Sequence, residues 1–213
     1  MDARIKSGHD EMGNDAIMEL SFEKENLMRV MILGIGNILM CDEGIGVRVV
    51  DELTSRFRFP ENVELMDGGT SGMELLDPLS NLDHLIVVDA VRSGDPAGTL
   101  IRLENEEVPA LFQTRLSPHQ LGLSDVLAML LLTGTYPKHL VLLGCEPKSL
   151  ETKMSLSDEV EAQVEPLIER VLAELSAIGI LPMAGVAKPC AWPSLPKSWR
   201  IRMAWTRSKV LAS

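Results

Sequence analysis

The chain has 213 residues, of which 46% are hydrophobic and 24% are charged, and its formal net charge is −11 at pH 7. This balance excludes disordered and collagen-like classes, and the negative charge argues against nucleic-acid binding by the domain as a whole. No apolar run approaches the ~18 residues that a membrane span needs, and the length suits one medium-sized domain.

Composition divides the chain into three parts. Residues 1–27 are polar and aperiodic, and they are expected to form a flexible leader; because they lack the charged-then-apolar pattern of a secretion signal, the protein is expected to be cytoplasmic. Residues 28–179 are predicted to form a single α/β domain. Residues 180–213 hold six Lys or Arg, no acid and all three Trp, which predicts a loosely ordered basic tail.

Strand-like and helix-like segments alternate along the domain. Short apolar runs predict strands at residues 29–34, 63–66, 85–88, 98–103 and 139–143. Helical spacing of apolar residues predicts helices at residues 44–57, 71–79, 117–132 and 157–178. The alternation predicts an α/β fold with an open, mainly parallel five-stranded sheet and helices on both faces.

Prolines mark special positions in two of these helices. Ser117 is the expected cap of the helix over residues 117–132, and Pro118 occupies its first helical position. In the last helix, Pro166 predicts a kink or a restart, because proline lacks the backbone N–H that a helix interior uses.

The first predicted strand ends in a glycine turn that is followed by two acids. Gly34 and Gly36 form the turn, but the third glycine of a dinucleotide fingerprint and the Gly-Lys-Ser/Thr of a phosphate loop are both missing. Asp42 and Glu43 would repel a pyrophosphate and suit a cation better. The structural alternative is that the acids cap the next helix; it is stronger for Asp42, because one cap suffices and leaves Glu43 to reach a ligand.

Three side chains map to the sheet edge where ligands of open α/β folds bind. Glu43 follows the first strand, Asp89 ends the strand over residues 85–88, and His119 lies in the first turn of a helix. Two carboxylates and an imidazole predict a site for zinc or nickel with open coordination positions. The structural alternatives are that Asp89 caps a loop and that His119 is solvated or caps its helix. Asp67 also ends a strand, but we interpret it as a structural acid in a turn.

The three cysteines point to no shared site. Cys41, Cys145 and Cys190 show no CxxC spacing, so neither a disulfide framework nor a thiolate zinc site is suggested, and we expect buried or loop thiols. A nucleophilic role is considered for Cys41 because it lies beside the two acids. No histidine is near it in the sequence, which makes that role weak.

The chain resembles the maturation endopeptidases of nickel–iron hydrogenases over residues 28 to about 178. Any one matching segment would be a weak indication, but the set, in the family's order and spacing, is highly specific. The segments are GIGNILMCDEGIG at residues 34–46, DGGTSGMELL at 67–76, LIVVDA at 85–90 and SPHQLGL at 117–123.

The resemblance implies a five-stranded sheet flanked by helices and an enzyme that removes the C-terminal extension of the hydrogenase large-subunit precursor after nickel insertion. The family's metal-binding glutamate, aspartate and histidine fall on Glu43, Asp89 and His119, with Asp42 and Asp67 as supporting acids. The family offers no counterpart for residues 1–27 or 180–213.

The expected mechanism is that the three residues contact nickel already held by the precursor. The alternative is a zinc ion held by the enzyme, against which the missing HExxH motif counts. Two other functions remain open: a related peptidase of the same fold with another substrate, such as a spore germination protease, and a chaperone that binds nickel or the precursor without cutting it. We expect a monomer, and the identity of any general base is left open.

Overall fold

In the computed structural model, residues 28–114 and 118–185 are described, and the side chains of residues 112–119 and 121 lie outside that description. The predicted leader at residues 1–27, the predicted cap Ser117, the third cysteine Cys190 and the tail from residue 186 onward therefore lie outside the described residues.

A five-stranded sheet forms the centre of the fold. Its strands are β1 (Val30–Ile35), β3 (Val63–Gly69), β4 (His84–Ala90), β5 (Leu100–Glu104) and β6 (His139–Cys145). They lie in the order β3-β1-β4-β6-β5, and every neighbouring pair is parallel except β5 with β6. The predicted mainly parallel sheet is confirmed.

Helices cover both faces of this sheet. The α-helices are α1 (Ile45–Arg56), α2 (Glu107–Thr114), α3 (Pro118–Thr133), α4 (Asp158–Glu161) and α5 (Val164–Ala177), and two 3-10 turns span Cys41–Gly44 and Met73–Leu75. Successive strand side chains point to opposite faces, so β1 contributes to two apolar cores. Ile32 packs into one core with residues of α1 and α5, whereas Leu33 packs into the other with residues of α3.

Local chemistry explains where the helices differ from the prediction. The helix predicted over residues 71–79 is wrong, since only the 3-10 turn and irregular turns occur there; Pro78 lacks the N–H that a longer helix would need. The restart predicted near Pro166 is confirmed, since α4 ends at Glu161 and Pro166 lies in the first turn of α5. In that turn the backbone N–H groups make no hydrogen bonds within the helix, so proline is tolerated. Helix α2 was not predicted.

The folded body continues past the predicted domain boundary at Gly179. Ile180 is buried, and a short strand β7 (Met183–Ala184) pairs antiparallel with β2 (Phe57–Arg58), which follows α1. Within the described part of the chain, no helix combines the length and the apolar character that crossing a membrane would require.

Candidate functional site

Glycines allow the turn after β1 to lie tightly against the sheet. At Gly36, φ is 129°, and a Cβ atom would collide with the backbone oxygen of Glu43. At Gly46, a Cβ atom would collide with the backbone oxygens of Ile35 and Val88. These close approaches bring the 3-10 turn Cys41–Gly44 into contact with β4. The glycines therefore position the acids of the turn.

Asp42 is fully buried and ties this turn to a distant loop. Its Oδ2 accepts hydrogen bonds from the backbone N–H groups of Lys148 and Ser149 and from the Ser157 hydroxyl, each at 2.9 Å, and its Oδ1 accepts the Ser157 N–H at 2.6 Å. Neither the 3-10 turn nor α1 has a side-chain cap. The capping interpretation is therefore wrong for Asp42, which instead fixes the loop over residues 148–157.

Glu43 and Asp89 bring two further buried carboxylates to the same edge of the sheet. Glu43 lies in the 3-10 turn and is 4% exposed, and Asp89 lies near the end of β4 with no exposed surface. Because the turn contacts β4, the two segments are neighbours in space. The structure thus places Glu43 and Asp89 on adjacent segments at the carboxyl edge of the sheet.

Gln120 connects Asp89 to the start of α3. Its Nε2 donates hydrogen bonds to Asp89 Oδ2 at 2.7 Å and to the carbonyl oxygen of Ala90 at 3.2 Å. His119 precedes Gln120, so the backbone of the third predicted ligand lies beside it in α3 (Pro118–Thr133), within the helix predicted there. The His119 side chain lies outside the described residues.

The chemistry of the donor set fits a borderline divalent cation. Buried carboxylates are stable only with hydrogen-bond donors or cations as partners, and carboxylate oxygens together with imidazole nitrogen suit nickel or zinc. Among the side chains that the structure describes, no three His, Cys, Asp or Glu residues come together as a metal-binding group. The set of Glu43, Asp89 and His119 accordingly stays a prediction.

Glu146 and Gln120 belong to this edge, although neither was predicted from the sequence. Glu146 follows β6, and its Oε2 accepts hydrogen bonds from the N–H groups of Ser93 and Gly94 and from the Ser93 hydroxyl, which holds the loop after β4. Its position directly after a strand was the available signal. Asp67 is exposed and accepts the Gly69 N–H at 2.9 Å, a contact of the kind that its structural interpretation predicts.

Both described cysteines are buried thiols, as expected. Burial raises the pKa of Cys41, and the neighbouring Asp42 carboxylate raises it further. Burial, with Asp42 and Glu146 nearby, raises the pKa of Cys145 to about 12. A thiol with a raised pKa stays protonated at neutral pH, which argues against a nucleophilic role for Cys41.

Comparison with known proteins identifies the family. Residues 47–174 match the family model HycI, described as hydrogenase maturation protease. The chain is 53% identical over 154 residues to the hydrogenase 2 maturation protease of Escherichia coli strain K12, which covers 72% of this chain and 94% of that protein. It is 46% identical over 166 residues to the hydrogenase expression/formation protein HupM of Azotobacter chroococcum mcd 1, with coverages of 76% and 79%.

The same family has solved structures with this fold. The hydrogenase maturating endopeptidase HybD from E. coli is 51% identical, superimposes with a TM-score of 0.72, and is covered over 98% of its length by 74% of this chain. The predicted resemblance is confirmed, and the chain belongs to the hydrogenase maturation protease family.

Proposed function

We propose that this protein is an endopeptidase that removes the C-terminal extension of a hydrogenase large-subunit precursor after nickel has been inserted. Family membership supports hydrolysis of a peptide bond in hydrogenase maturation. The observation that carries the proposal is the pair of buried carboxylates, Glu43 and Asp89, at the edge where α3 is held onto β4 through Gln120.

In this proposal, Glu43, Asp89 and His119 contact the nickel that the precursor brings with it. The nickel is part of the substrate, so only a precursor that has received its metal is held correctly. Contact through three side chains orients the scissile peptide, whose C–N bond breaks as water adds to the carbonyl carbon. Proteolysis therefore becomes conditional on a completed metal insertion.

A resident zinc ion held by the same three residues is the second version. It uses the same donors, and the absence of an HExxH motif from the sequence counts against it. In this version cleavage would not depend on the metal content of the precursor. The two versions therefore predict different responses to removal of metal from each partner.

The test is to incubate the purified protein with nickel-loaded and with nickel-free precursor and to measure the mass of the large subunit. We expect shortening of the nickel-loaded precursor alone. Shortening of the nickel-free precursor would contradict nickel recognition, and loss of cleavage after chelation of the protease alone would favour a resident ion. An unchanged mass in every arm would favour a chaperone that only binds, or a peptidase with another substrate.

Substitutions then test the residues. Glu43→Gln and Asp89→Asn are expected to reduce the cleavage rate by about 100-fold or more, because each replaces a proposed anionic metal contact with a neutral amide. Glu52→Gln is the matched control: Glu52 is an equally buried glutamate, 2% exposed, on α1. Circular dichroism verifies folding of each variant. Wild-type rates for the Glu43 and Asp89 variants would end the assignment.

A further inference from the structure

Gln120 is a buried polar side chain on an otherwise apolar face of α3. It is 3% exposed, and the residues that follow it on the buried side of the helix include Leu123, Val126 and Leu127, all at most 2% exposed. An amide in such a place costs roughly 1–3 kcal/mol of stability unless its hydrogen bonds are made. A methionine of similar size would fill the same space without that requirement.

Hydrogen bonds from Gln120 reach the candidate site. Its Nε2 donates to a carboxylate oxygen of Asp89 and to the backbone carbonyl of Ala90, the last residue of β4. The bond to Ala90 attaches the amide to the strand backbone. The amide is therefore held in place and restrains the orientation of the neighbouring Asp89 carboxylate. Asp89 itself has no exposed surface, so its orientation depends on protein contacts.

We propose that Gln120 is a positioning residue for the cleavage reaction. It fixes the orientation of the Asp89 carboxylate and, through the same contact, holds the first turn of α3 with His119 against the end of β4. The Gln120 amide thus contributes to the relative placement of two of the three proposed nickel contacts. This inference rests on the proposed function, because that placement matters for activity only if Asp89 and His119 contact the substrate.

A merely structural role would have a different consequence. If Gln120 only attached α3 to the sheet, its loss would lower stability without lowering the rate of the folded enzyme. Leu127 provides the matched control, because it is a buried residue of the same helix with no role in the proposed site. Leu127→Ala creates a cavity and is expected to lower the melting temperature while kcat at low temperature stays near the wild-type value.

The experiment measures kcat, KM and melting temperature for the wild type, Gln120→Met and Leu127→Ala with nickel-loaded precursor, well below the melting temperature of each protein. We expect Gln120→Met to lower kcat by about 10- to 100-fold, the range found for residues that orient metal ligands, while KM changes by less than about twofold.

Each other outcome overturns the inference. A kcat of Gln120→Met within about twofold of the wild-type value would do so. The inference would also fail if kcat fell in Leu127→Ala in proportion to its loss of stability, and if Gln120→Met showed the same loss of kcat for the same loss of stability. A wild-type enzyme that leaves the precursor uncut would refute the proposed function itself and the inference with it.

Discussion

The carboxyl edge of the central sheet, where the parallel strands end, and the amino edge, where they begin, hold their polar groups in different ways. At the carboxyl edge, the carboxylates of Asp42, Asp89 and Glu146 are at most 8% exposed, and each accepts N–H groups from the backbone or from an amide. At the amino edge, β4 and β6 begin with His84 and His139, whose rings stack at 4.6 Å and retain contact with solvent.

The difference shows where this fold fixes side-chain orientation. A carboxylate removed from water must receive donors from the protein, and those donors hold it in one position. A stacked ring pair at the surface has no comparable requirement. We therefore expect substitutions at the carboxyl edge to have the larger effects on stability and those at the amino edge the smaller ones.

The largest effect is expected for Asp42→Asn. Both carboxylate oxygens accept backbone N–H groups. In either of its two flipped orientations, the asparagine NH₂ group would therefore face an N–H donor in place of an acceptor. We expect a loss of about 3 kcal/mol in the free energy of unfolding, measured with urea. The control Asp67→Asn alters an exposed acid at the same edge and should cost no more than about 0.5 kcal/mol. Equal losses in both variants would contradict this account.

Glu146 should show an intermediate effect that depends on the replacement. Among the described residues, three hydrogen bonds reach its carboxylate, and all go to one oxygen, Oε2. Glutamine keeps an acceptor for them, whereas alanine leaves the N–H groups of Ser93 and Gly94 without one. We expect losses of about 1 kcal/mol for Glu146→Gln and about 2 kcal/mol for Glu146→Ala. Glu151→Ala, at an exposed position, is the control. A larger loss for the glutamine variant would contradict the assigned contacts.

Asp83 at the amino edge should matter less. Its carboxylate pairs with Lys138 Nζ at 2.6 Å and accepts the Arg29 N–H at 2.7 Å, but Lys138 is mostly exposed. We expect Asp83→Asn to cost about 0.5–1 kcal/mol at neutral pH.

The contribution of Asp83 should also depend on pH. The hydrogen bond from Lys138 and the Arg29 N–H lower the pKa of Asp83 below its ordinary 3.8, so its stabilisation is present above pH 3.8 and is lost as pH falls below it. Urea unfolding of wild type and Asp83→Asn at neutral pH and in acid measures this difference. A gap between the two proteins that does not narrow in acid would contradict the assignment.

The smallest effect is expected from His84. Burial, and then the adjacent His139, lower the pKa of His84 below its ordinary 6.5. The unfolded chain therefore binds a proton first as pH falls, so the contribution of His84 is complete above pH 6.5 and declines below it. His84→Asn should flatten the change in urea midpoint between about pH 7.5 and about pH 5.5. If the urea midpoint of His84→Asn changed with pH as much as that of the wild type, this assignment would be contradicted. The variant His139→Asn measures how much of the pH dependence is due to His139.

The sequence predicts the sheet well because a buried strand is recognisable from its own consecutive apolar residues. The six residues of β1 are all buried, and the consecutive apolar residues Val30–Leu33 indicate that directly. Helix α3 occupies the segment that the sequence predicts as helical. The short 3-10 turn Met73–Leu75 was mistaken for part of a helix, because apolar spacing alone does not reveal that Pro78 prevents a longer one.

The site is only partly predictable for a different reason. Glu43 and Asp89 were predicted because one lies in the turn that follows β1 and the other lies near the end of β4. The partners of Asp42 lie 106, 107 and 115 residues away, and Gln120 is 31 residues from Asp89, so no local pattern reveals these hydrogen bonds. The wrong capping interpretation of Asp42 has the same origin, since it considered neighbours in the sequence alone.

The bonds from Asp42 to residues 148–157 also bear on synthesis of the chain. During translation, the turn over residues 41–44 leaves the ribosome long before Ser157, so Asp42 spends that interval without the donors that it has in the folded protein. The edge that carries Glu43 can be completed only when nearly the whole domain has been made. In a chain that ends before Ser157, the carboxyl edge of the sheet therefore lacks part of its hydrogen bonding.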